Sequence, residues 1–449
     1  MGNIKTDEGL KRVIGIPGLS LNIINNTIGA GIFALPAIVC IALDGFAIFG
    51  YVFCGIMMAA IMLCYAEIGS RVTSSGGSYA YVEAAFGSFA GFIINWLFFF
   101  GFGILSDAAI INIVADSLAV IFPVFKNSMA RGLLFFILIG FMVVINVRGA
   151  KHGLGFVKFI TIIKILPLIA IIIFGFSNIK AANLHWENLP SFQTFGNTIL
   201  VLFFAFAGFE TALNVSGEIK NPKHTIPLGI LIAGVFVLII YILLQTVTQG
   251  VLGTNMESVK NAPLAAAAEK IIGPAGGIIL LIAAAVSCFG NVSGDLLLTP
   301  RLLFAGANNG IFPTFLGKVH PRFATPYWAI IVYGSLIFGL SISGGFKQLA
   351  ILASAAILII YLAVILAGIK LRNKKENAEK SFRMPGGLIV PFIGIASIIW
   401  LLTSLSKWEI GSTVIFIAVI CILYFLMKKY QKKKKVVAEI KNDVVVHTE

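Results

Sequence analysis

Long apolar runs separated by short polar segments extend over almost the whole chain, and this pattern predicts membrane-spanning helices. A spanning helix needs about 20 mostly apolar residues. About twelve such windows can be marked, near residues 13–42, 45–68, 88–122, 132–148, 155–176, 193–217, 226–250, 276–304, 325–343, 346–369, 388–405 and 409–428. The pattern therefore predicts an all-α integral membrane protein with a single polytopic domain, residues 1–428, and a basic tail, residues 429–449.

The composition agrees with a membrane protein and gives no sign of an enzyme. Of 449 residues, 59% are hydrophobic and only 12% are charged, unlike a soluble globular domain. All five cysteines lie within the predicted spans without the spacing of a metal site, which argues against zinc and against a disulfide framework. The segment GGSYAY at 76–81 is not a phosphate loop, because no Gly-Lys-Ser/Thr follows it. The sequence predicts no metal, no cofactor and no catalytic site.

The distribution of basic residues predicts the topology, because Lys and Arg collect on the cytoplasmic side of a membrane. We predict a plasma (inner) membrane protein with both termini in the cytoplasm. In that orientation 25 of the 33 basic residues lie on the cytoplasmic side, and Lys164 alone lies within a span. The seven outer ones are Lys126, Arg131, Lys180, Lys260, Lys270, Lys347 and Lys407. This asymmetry accounts for most of the net charge of +14 without a nucleic-acid partner. The tail KKYQKKKK, 428–435, suits anionic lipid, and a partner-binding tail is the alternative.

The stretch NNTIGAGIFALP, residues 25–36, predicts a break in the first span. Gly29 and Gly31 each weaken a helix by about 1 kcal/mol relative to Ala, and Pro36 gives no N–H to the carbonyl of Ile32. Freed backbone groups are costly in hydrocarbon unless they line a cavity or bind something. A broken helix offers an N-terminus for a carboxylate and carbonyls for an ammonium. A close helix-packing face built on the glycines is the alternative.

A second irregular segment, LFFAFAGFETALNVSGEIKNP at 202–222, places Gly208 and Glu210 within the sixth span. An ionisable group at that depth is expensive and is a functional candidate. Two interrupted spans at corresponding positions indicate inverted repeats of five spans, 13–176 and 193–369, with a site between them. Spans 11 and 12, at 388–428, would lie outside the repeats.

Four further ionisable residues are predicted to lie within spans. Lys164 is too deep in span 5 to reach the interface easily, and burial disfavours the charged form of a lysine. Asp107 and Asp116 on span 3 are nine residues apart, about half a turn out of phase, so both cannot face one site. Asp295 lies on span 8, with Asn291 one turn before it. Each acid either serves function or belongs to an internal ion pair.

Seven segments in order resemble the amino acid–polyamine–organocation transporter superfamily over essentially the whole chain. The resemblance implies the LeuT-type fold, alternating access around a midplane site, and an amino acid or polyamine as cargo. The matching segments are GAGIF (29–33), YAEIGSRVTSSGGSYAYVEAAFG (65–87), TIIKILPLIAIIIFG (161–175), FFAFAGFE (203–210), EIKNPKHTIPLGI (218–230), PRLLFAGANNGIFP (300–313) and FRMPGGLIVPFIGI (382–395).

The resemblance also implies roles for individual residues at the site. A substrate carboxylate would lie on the amides of Ala30 and Gly31, with Gly29 giving room. The substrate ammonium would lie on carbonyls of the two broken spans, and an aromatic residue on span 6 would occlude the site. The carbonyls are those of Thr27, Phe204 and Ala207, and Phe204 is also the occluding aromatic.

Further roles implied by the resemblance concern coupling and the far wall of the site. Lys164 would replace the sodium ion of sodium-coupled relatives, or form a structural ion pair. Glu210 would be a gate or a proton-linked residue. Asp107 matches a substrate-proximal position and could grip a cationic side chain, carry a proton or pair with Lys164. Asn291 and Asp295 lie on span 8, which lines the family's pocket.

Together these features predict a secondary active transporter for amino acids or related amines, sodium-independent and either proton-coupled or exchanging. A membrane sensor with little net transport is the alternative. A channel is less favoured, because a buried lysine and broken helices suit an occluded substrate better than a continuous pore.

Overall fold

The computed structural model describes residues 12, 14–29, 31–74, 76–148, 153–186, 188–300, 303–304, 307, 312–323, 325–372 and 382–446. Sixteen α-helices account for most of these residues, and short 3-10 segments join several of them. The helices are α1 (Ile16–Thr27), α2 (Gly31–Leu43), α3 (Ala47–Arg71), α4 (Gly77–Phe86), α5 (Ser88–Trp96), α6 (Ile104–Ile121), α7 (Ser128–Arg148), α8 (Gly153–Gly175), α9 (Phe192–Phe206), α10 (Pro222–Leu252), α11 (Pro263–Ile272), α12 (Pro274–Leu298), α13 (Tyr327–Ser343), α14 (Phe346–Arg372), α15 (Ile389–Thr403) and α16 (Lys407–Val446).

The all-α membrane class predicted from the sequence is confirmed. Nine helical segments in the described part of the chain are long and apolar enough to cross a membrane, and two shorter apolar helices, α13 and α15, accompany them. Each of the twelve predicted windows coincides with one of these helices or with a pair of them. The helices α7, α8, α15 and α16 carry many exposed Ile, Leu, Val and Phe side chains, as expected for surfaces that face lipid.

The first and sixth spans are interrupted where the sequence predicts it. Span 1 consists of α1 and α2, with Ile28 and Gly29 outside both helices. Span 6 consists of α9 and a 3-10 segment, Phe209–Glu218, joined through Gly208 at φ +111°. A side chain at Gly208 would lie 2.6 Å from the carbonyl oxygen of Asn26. Glycine is therefore required at this position both by conformation and by the contact between the two broken spans.

Span 3 is one continuous helical segment, but its middle is wound more loosely than an α-helix. Residues Leu97–Gly103 form a π-helix between α5 and α6. Such π segments rotate the following turns relative to the preceding ones and are common at functional sites. The next turns of α6 carry Ser106, Asp107 and Ile110 on a helix that packs against α12, α13 and α14.

The two broken spans lie between two groups of supporting helices. The helix α1 packs against α10 and α8, and α2 packs against α9 and α11. On the other side, α12 packs against both α6 and α8. The breaks are therefore surrounded by side chains from spans 3, 5, 7 and 8.

Three segments predicted from the sequence either continue a helix or lie partly outside the described residues. The helix α16 continues from span 12 to Val446, so the backbone of the predicted tail begins as an extension of that helix. Residues 373–381, which include lysines counted above as cytoplasmic, lie outside the described residues, as does most of the motif at 300–313. The division into repeats at 13–176 and 193–369 and the boundary at 428 stay predictions.

Candidate functional site

A small cavity lies where the two interrupted spans meet spans 3 and 8. Its volume is about 30 Å³, close to the volume of one water molecule. A solute the size of an amino acid can therefore enter only if the walls move apart. The lining residues are Asn26, Thr27, Gly29, Gly31, Phe102, Ser106, Ile110, Phe204, Ala205, Ala207, Gly208, Thr211, Asn291 and Asp295.

Most of the predicted site residues line this cavity. Thr27, Gly29, Gly31, Phe204, Ala207, Asn291 and Asp295 do so. Ala30 lies outside the described residues. Asp107, Lys164 and Glu210 are not among the lining residues: Asp107 follows Ser106, and Lys164 and Glu210 bond the backbone of the two breaks.

Helix ends give the cavity a polar character that its apolar surroundings lack. The C-terminal ends of α1 and α9 carry partial negative charge, and the N-terminal end of α2 carries partial positive charge. The cavity contacts all three ends, through Thr27, Gly31 and Phe204 to Ala207. One cavity thus offers acceptors for an ammonium group and donors for a carboxylate within a few residues of each other.

Lys164 lies on span 5, is fully buried, and holds the unwound part of span 1 in place. Its Nζ donates to the carbonyl oxygens of Asn25 and Ile28, both at 2.6 Å. Asp107 instead accepts a hydrogen bond from Tyr333. The predicted alternative that Asp107 pairs with Lys164 is therefore not what the structure shows.

The other carbonyl oxygens of the unwound segment are held in the same way. Asn291 Nδ2 donates to Asn26 O at 3.2 Å. The hydroxyl of Ser287 lies 3.4 Å from the carbonyl oxygens of Ile28 and Gly29. Together with Lys164 and with Tyr241 on span 7, these side chains give every carbonyl from Asn25 to Gly29 a donor from another span. The break therefore has a fixed conformation and is not a frayed helix end.

Tyr241 connects the two broken spans directly. Its hydroxyl lies 3.0 Å from the carbonyl oxygen of Thr27 and 2.8 Å from that of Ala205. The Thr27 carbonyl also accepts from the amide of Gly29 at 2.8 Å. The two lone pairs of Thr27 O therefore face the Gly29 amide and the Tyr241 hydroxyl, whose single proton is shared with Ala205 O.

Glu210 organises the break in span 6. Its carboxylate accepts from the amide of Gly208 at 3.1 Å and from the hydroxyl of Tyr361 on span 10 at 2.6 Å. In a continuing helix the amide of Gly208 would return to the carbonyl of Phe204. Since Glu210 takes that amide, the Phe204 carbonyl at the cavity is released from its usual helical partner.

The two glycines of span 1 have packing roles as well as a place at the cavity. A side-chain carbon at Gly31 would lie 3.0 Å from Cβ and 3.1 Å from Cα of Ala205. One at Gly29 would lie 2.9 Å from Nδ2 of Asn291. The broken-helix and packing-face readings of this segment therefore both apply, because the break occurs where two backbones approach closely.

The three buried acids predicted on spans 3 and 8 have different surroundings. Asp116 pairs with Arg131 at 2.6 Å, and both side chains are partly exposed, so this acid belongs to an ion pair. Asp107 is fully buried, and its Oδ2 accepts from Tyr333 at 2.8 Å. Asp295 lines the cavity. Asp107 and Asp116 thus have separate environments, and neither is among the residues that line the cavity.

Two contacts at the wall of the cavity are named the closing contacts here. The ring of Phe204 meets the ring of Phe346, at the start of span 10, edge to face at 5.7 Å. On the side of the chain's first helix, Asn26 Nδ2 donates to Thr211 Oγ1 at 2.6 Å. An open recess of about 670 Å³ lies beyond the first contact, lined in part by Leu200, Val201 and Ile351.

Sequence reasoning missed three side chains that hold the breaks: Tyr241, Tyr361 and Ser287. A signal for the two tyrosines was available. Each carries a lone hydroxyl inside a long apolar run, VFVLIIYILL and AILIIYLAVIL. A hydroxyl in hydrocarbon needs an acceptor, and an unwound segment is where free carbonyls occur. Nothing in the sequence marks Ser287 among the small residues of span 8.

Comparison with known proteins places this geometry in context. The chain is similar to the serine/threonine exchanger SteT of Bacillus subtilis (strain 168), 29% identical over 433 residues that cover 94% of this chain and 95% of that protein. It is also similar to the methylthioribose transporter of the same organism, 28% identical over 441 residues, covering 94% of each chain. The Asc-type amino acid transporter 1 of Mus musculus is 30% identical over 349 residues, 72% of this chain and 63% of that protein.

The family comparison covers nearly all of the described spans. The model of the family described as amino acid permease matches residues 14–428. These relatives are transporters, so transport is favoured over both the enzyme class and the sensor alternative. The chain, with two interrupted helices around a closed polar cavity, belongs to the amino acid permease family.

Proposed function

We propose that this chain is a secondary transporter that moves α-amino acids by alternating access, without sodium, through the cavity between spans 1, 3, 6 and 8. The substrate carboxylate binds at the N-terminal end of α2, on the amides of Ala30 and Gly31. The substrate ammonium binds the carbonyls of Phe204 and Ala207. The observation that carries the proposal is the meeting of two interrupted helices, with opposite end charges, at one closed cavity.

The Phe204 carbonyl supports the position of the ammonium. Phe204 lines the cavity, and Glu210 has taken the amide that its carbonyl would accept in a continuing helix. The Thr27 carbonyl, which the resemblance also implies, is occupied by Gly29 N and the Tyr241 hydroxyl. It becomes a third acceptor only if Tyr241 turns away, so we propose Phe204 and Ala207 as the first contacts.

Lys164 is proposed to take the place of a bound sodium ion. Unwound carbonyls are the ligands that such sites present to sodium. The two hydrogen bonds from Lys164 Nζ to Asn25 O and Ile28 O support this role. The protein supplies one positive charge itself, and transport then needs no cation from solution to order span 1.

Access is proposed to alternate between the two closing contacts. Separation of Phe204 from Phe346 would connect the cavity to the recess beside Leu200 and Val201. Separation of Asn26 from Thr211 would open the side of the first helix, proposed to be cytoplasmic. The cavity of about 30 Å³ corresponds to both contacts being closed.

Uptake into proteoliposomes tests the proposal. Purified protein is reconstituted into vesicles, and the vesicles are loaded with unlabelled amino acids. Labelled L-serine or L-threonine is then added outside, in a buffer in which choline replaces sodium. The panel also includes other amino acids, polyamines and methylthioribose, because relatives carry amino acids or methylthioribose. We expect saturable uptake without sodium that the methyl ester and the deaminated analogue of the substrate do not inhibit.

Three results would contradict this proposal. Uptake that rises linearly with concentration would indicate a channel. Saturable binding without flux would indicate a sensor. Uptake confined to methylthioribose would mean that the helix ends recognise neither a carboxylate nor an ammonium. Vesicles without protein and vesicles with the Gly31→Val variant, whose side chain would collide with Ala205, serve as controls.

A further inference from the structure

The wall of the cavity opposite the two broken spans is where a substrate side chain would point. It is formed by Phe102, Ser106 and Ile110 from span 3 and by Asp295 from span 8. Three of these four side chains are small or apolar. Asp295 is the one acid that lines the cavity, so any charge selectivity at this end depends on its surroundings.

Asp107 and Asp295 lie on α6 and α12, which pack against each other, and the two carboxyl groups interact electrostatically. Asp107 is fully buried, and Tyr333 donates to its Oδ2 at 2.8 Å. Its Oδ1 is also buried, yet no donor among the described residues forms a hydrogen bond with it. A fully buried carboxylate oxygen without a donor is costly unless a proton or a cation approaches it.

The charges around this pair do not balance. No ion pair in the described part of the chain includes Asp107 or Asp295. Lys164 is committed to the carbonyls of span 1, and Arg131, from α7, pairs with Asp116 at the far end of α6. Two carboxylates that interact in an apolar region cannot both stay charged without a positive charge near them.

The remaining groups that face the pair do not supply that charge. Tyr333 on α13 is a neutral donor, and Thr299, the residue after α12, is a second hydroxyl close to Tyr333. Glu210 on span 6 lies within electrostatic range of Asp295 and adds a further acid. From α14, which also packs against α6, no charged side chain among the described residues acts on Asp107.

We infer that Asp107 and Asp295 form a two-carboxyl site that binds one positive charge at the side-chain end of the cavity. The charge is a proton when the substrate is a neutral amino acid, and the ammonium or guanidinium group of the side chain when the substrate is cationic. This inference rests on the proposed function, because it assigns the side-chain end of the same cavity.

The exchange of one charge for the other keeps the cavity balanced. A neutral substrate enters beside the singly protonated pair and leaves its proton in place. A cationic substrate releases that proton to solvent and donates its own N–H groups to the two carboxylates. In both cases the pair with its bound charge carries one net negative charge, so one closed state accommodates both classes of substrate.

Binding measurements on protein in nanodiscs test this inference. L-Serine serves as the neutral probe and L-lysine as the cationic probe, each from pH 5 to pH 9. Asp295→Asn, Asp107→Asn and Tyr333→Phe are compared with the wild type. Asp116→Asn is the matched control, because it lies on the same helix as Asp107 and its ion pair with Arg131 is partly exposed.

The wild type should bind L-serine more weakly as the pH rises, because the pair loses its proton. Its affinity for L-lysine should stay the same over that pH range. Asp295→Asn should lose at least about tenfold in L-lysine affinity and bind L-serine without pH dependence. Tyr333→Phe should move the pH at which L-serine binding falls. Asp116→Asn should match the wild type in all respects.

Two outcomes overturn the inference, and they are distinguishable. If both asparagine variants keep the wild-type ratio of lysine to serine affinity and the wild-type pH profile, the two acids are structural. If the wild type binds no amino acid at any pH, the proposed function fails, and the two-carboxyl site fails with it. Asp295→Asn carries the test even where Asp107→Asn does not fold, since Asp295 lies at the cavity surface.

Discussion

Replacing Lys164 by Met gives the sharpest test of how span 1 is held open. The substitution keeps an unbranched side chain of similar length and removes the ammonium group. It leaves Asn25 O without its donor and weakens the support of Ile28 O, which keeps the hydroxyl of Ser287 at 3.4 Å. Span 1 should then sample conformations in which the helix end at Gly31 no longer faces the cavity.

The size of the effect follows from the two hydrogen bonds. Each is charge-assisted and contributes about 1.5–3 kcal/mol. Even the lower value for both corresponds to about 3 kcal/mol, or roughly a hundredfold loss of substrate affinity, at about 1.4 kcal/mol per factor of ten. Global stability should change less, because removing a buried charge also removes its desolvation cost.

The assay is therefore substrate affinity in sodium-free buffer, with thermal unfolding of the same detergent samples as a check on folding. Lys318→Met is the matched control, since that lysine is exposed and lies outside both the cavity and the recess. Wild-type affinity in Lys164→Met would refute the role assigned to the ammonium. A wild-type protein that transports only with sodium would refute it equally.

The same variant separates the two coupling mechanisms left open by the sequence. If Lys164 releases its proton in each cycle, a proton gradient should drive accumulation by the wild type, and Lys164→Met should abolish that response. If the lysine stays charged throughout, uptake by the wild type should ignore the gradient and run as exchange or facilitated transport. Both mechanisms require sodium independence.

Three further outcomes are expected. Tyr241→Phe should lower transport and reduce the free energy of unfolding by about 1–3 kcal/mol, because Ala205 O loses its donor. Tyr51→Phe should do neither, because the buried hydroxyl of Tyr51 has no partner among the described residues. Glu67→Gln should destabilise the protein by about 3–5 kcal/mol, since this buried carboxylate pairs with Arg71 and Arg372; equal unfolding temperatures would contradict this. Cysteines placed in the tail after residue 428 should escape an impermeant reagent in intact cells, and labelling there would reverse the topology.

The positions of the helices could be predicted from the sequence because hydropathy and helix breaking are local properties. The twelve windows coincide with helices, and the glycines at 29, 31 and 208 lie at the two breaks. Pro36 is instructive, since α2 continues through it. Ile28 and Gly29 lie outside both helices, before the first turn of α2, so Pro36 removes one hydrogen bond without ending the helix.

The partners of the buried polar groups could not be predicted, because they depend on how distant spans pack. Asp107 and Asp116 look alike in sequence, yet one accepts from Tyr333 on span 9 and the other pairs with Arg131 fifteen residues away. The donors to the unwound carbonyls come from spans 5, 7 and 8. The resemblance implied that Lys164 reaches span 1, and residue spacing alone could not have shown it.

The contacts of Tyr241 limit how the two broken spans can move. One hydroxyl bonds the carbonyls of Thr27 and Ala205, so spans 1 and 6 are tied together at the level of the cavity. Both closing contacts, Phe204 with Phe346 and Asn26 with Thr211, also involve these spans. Asn26 and Thr211 belong to spans 1 and 6 themselves. Opening on that side must therefore separate α1 from the 3-10 segment Phe209–Glu218, while Tyr241 still connects the two spans at the cavity. Phe346 belongs to span 10, so opening on the other side requires only that span 10 move relative to both, and the two openings use different helices.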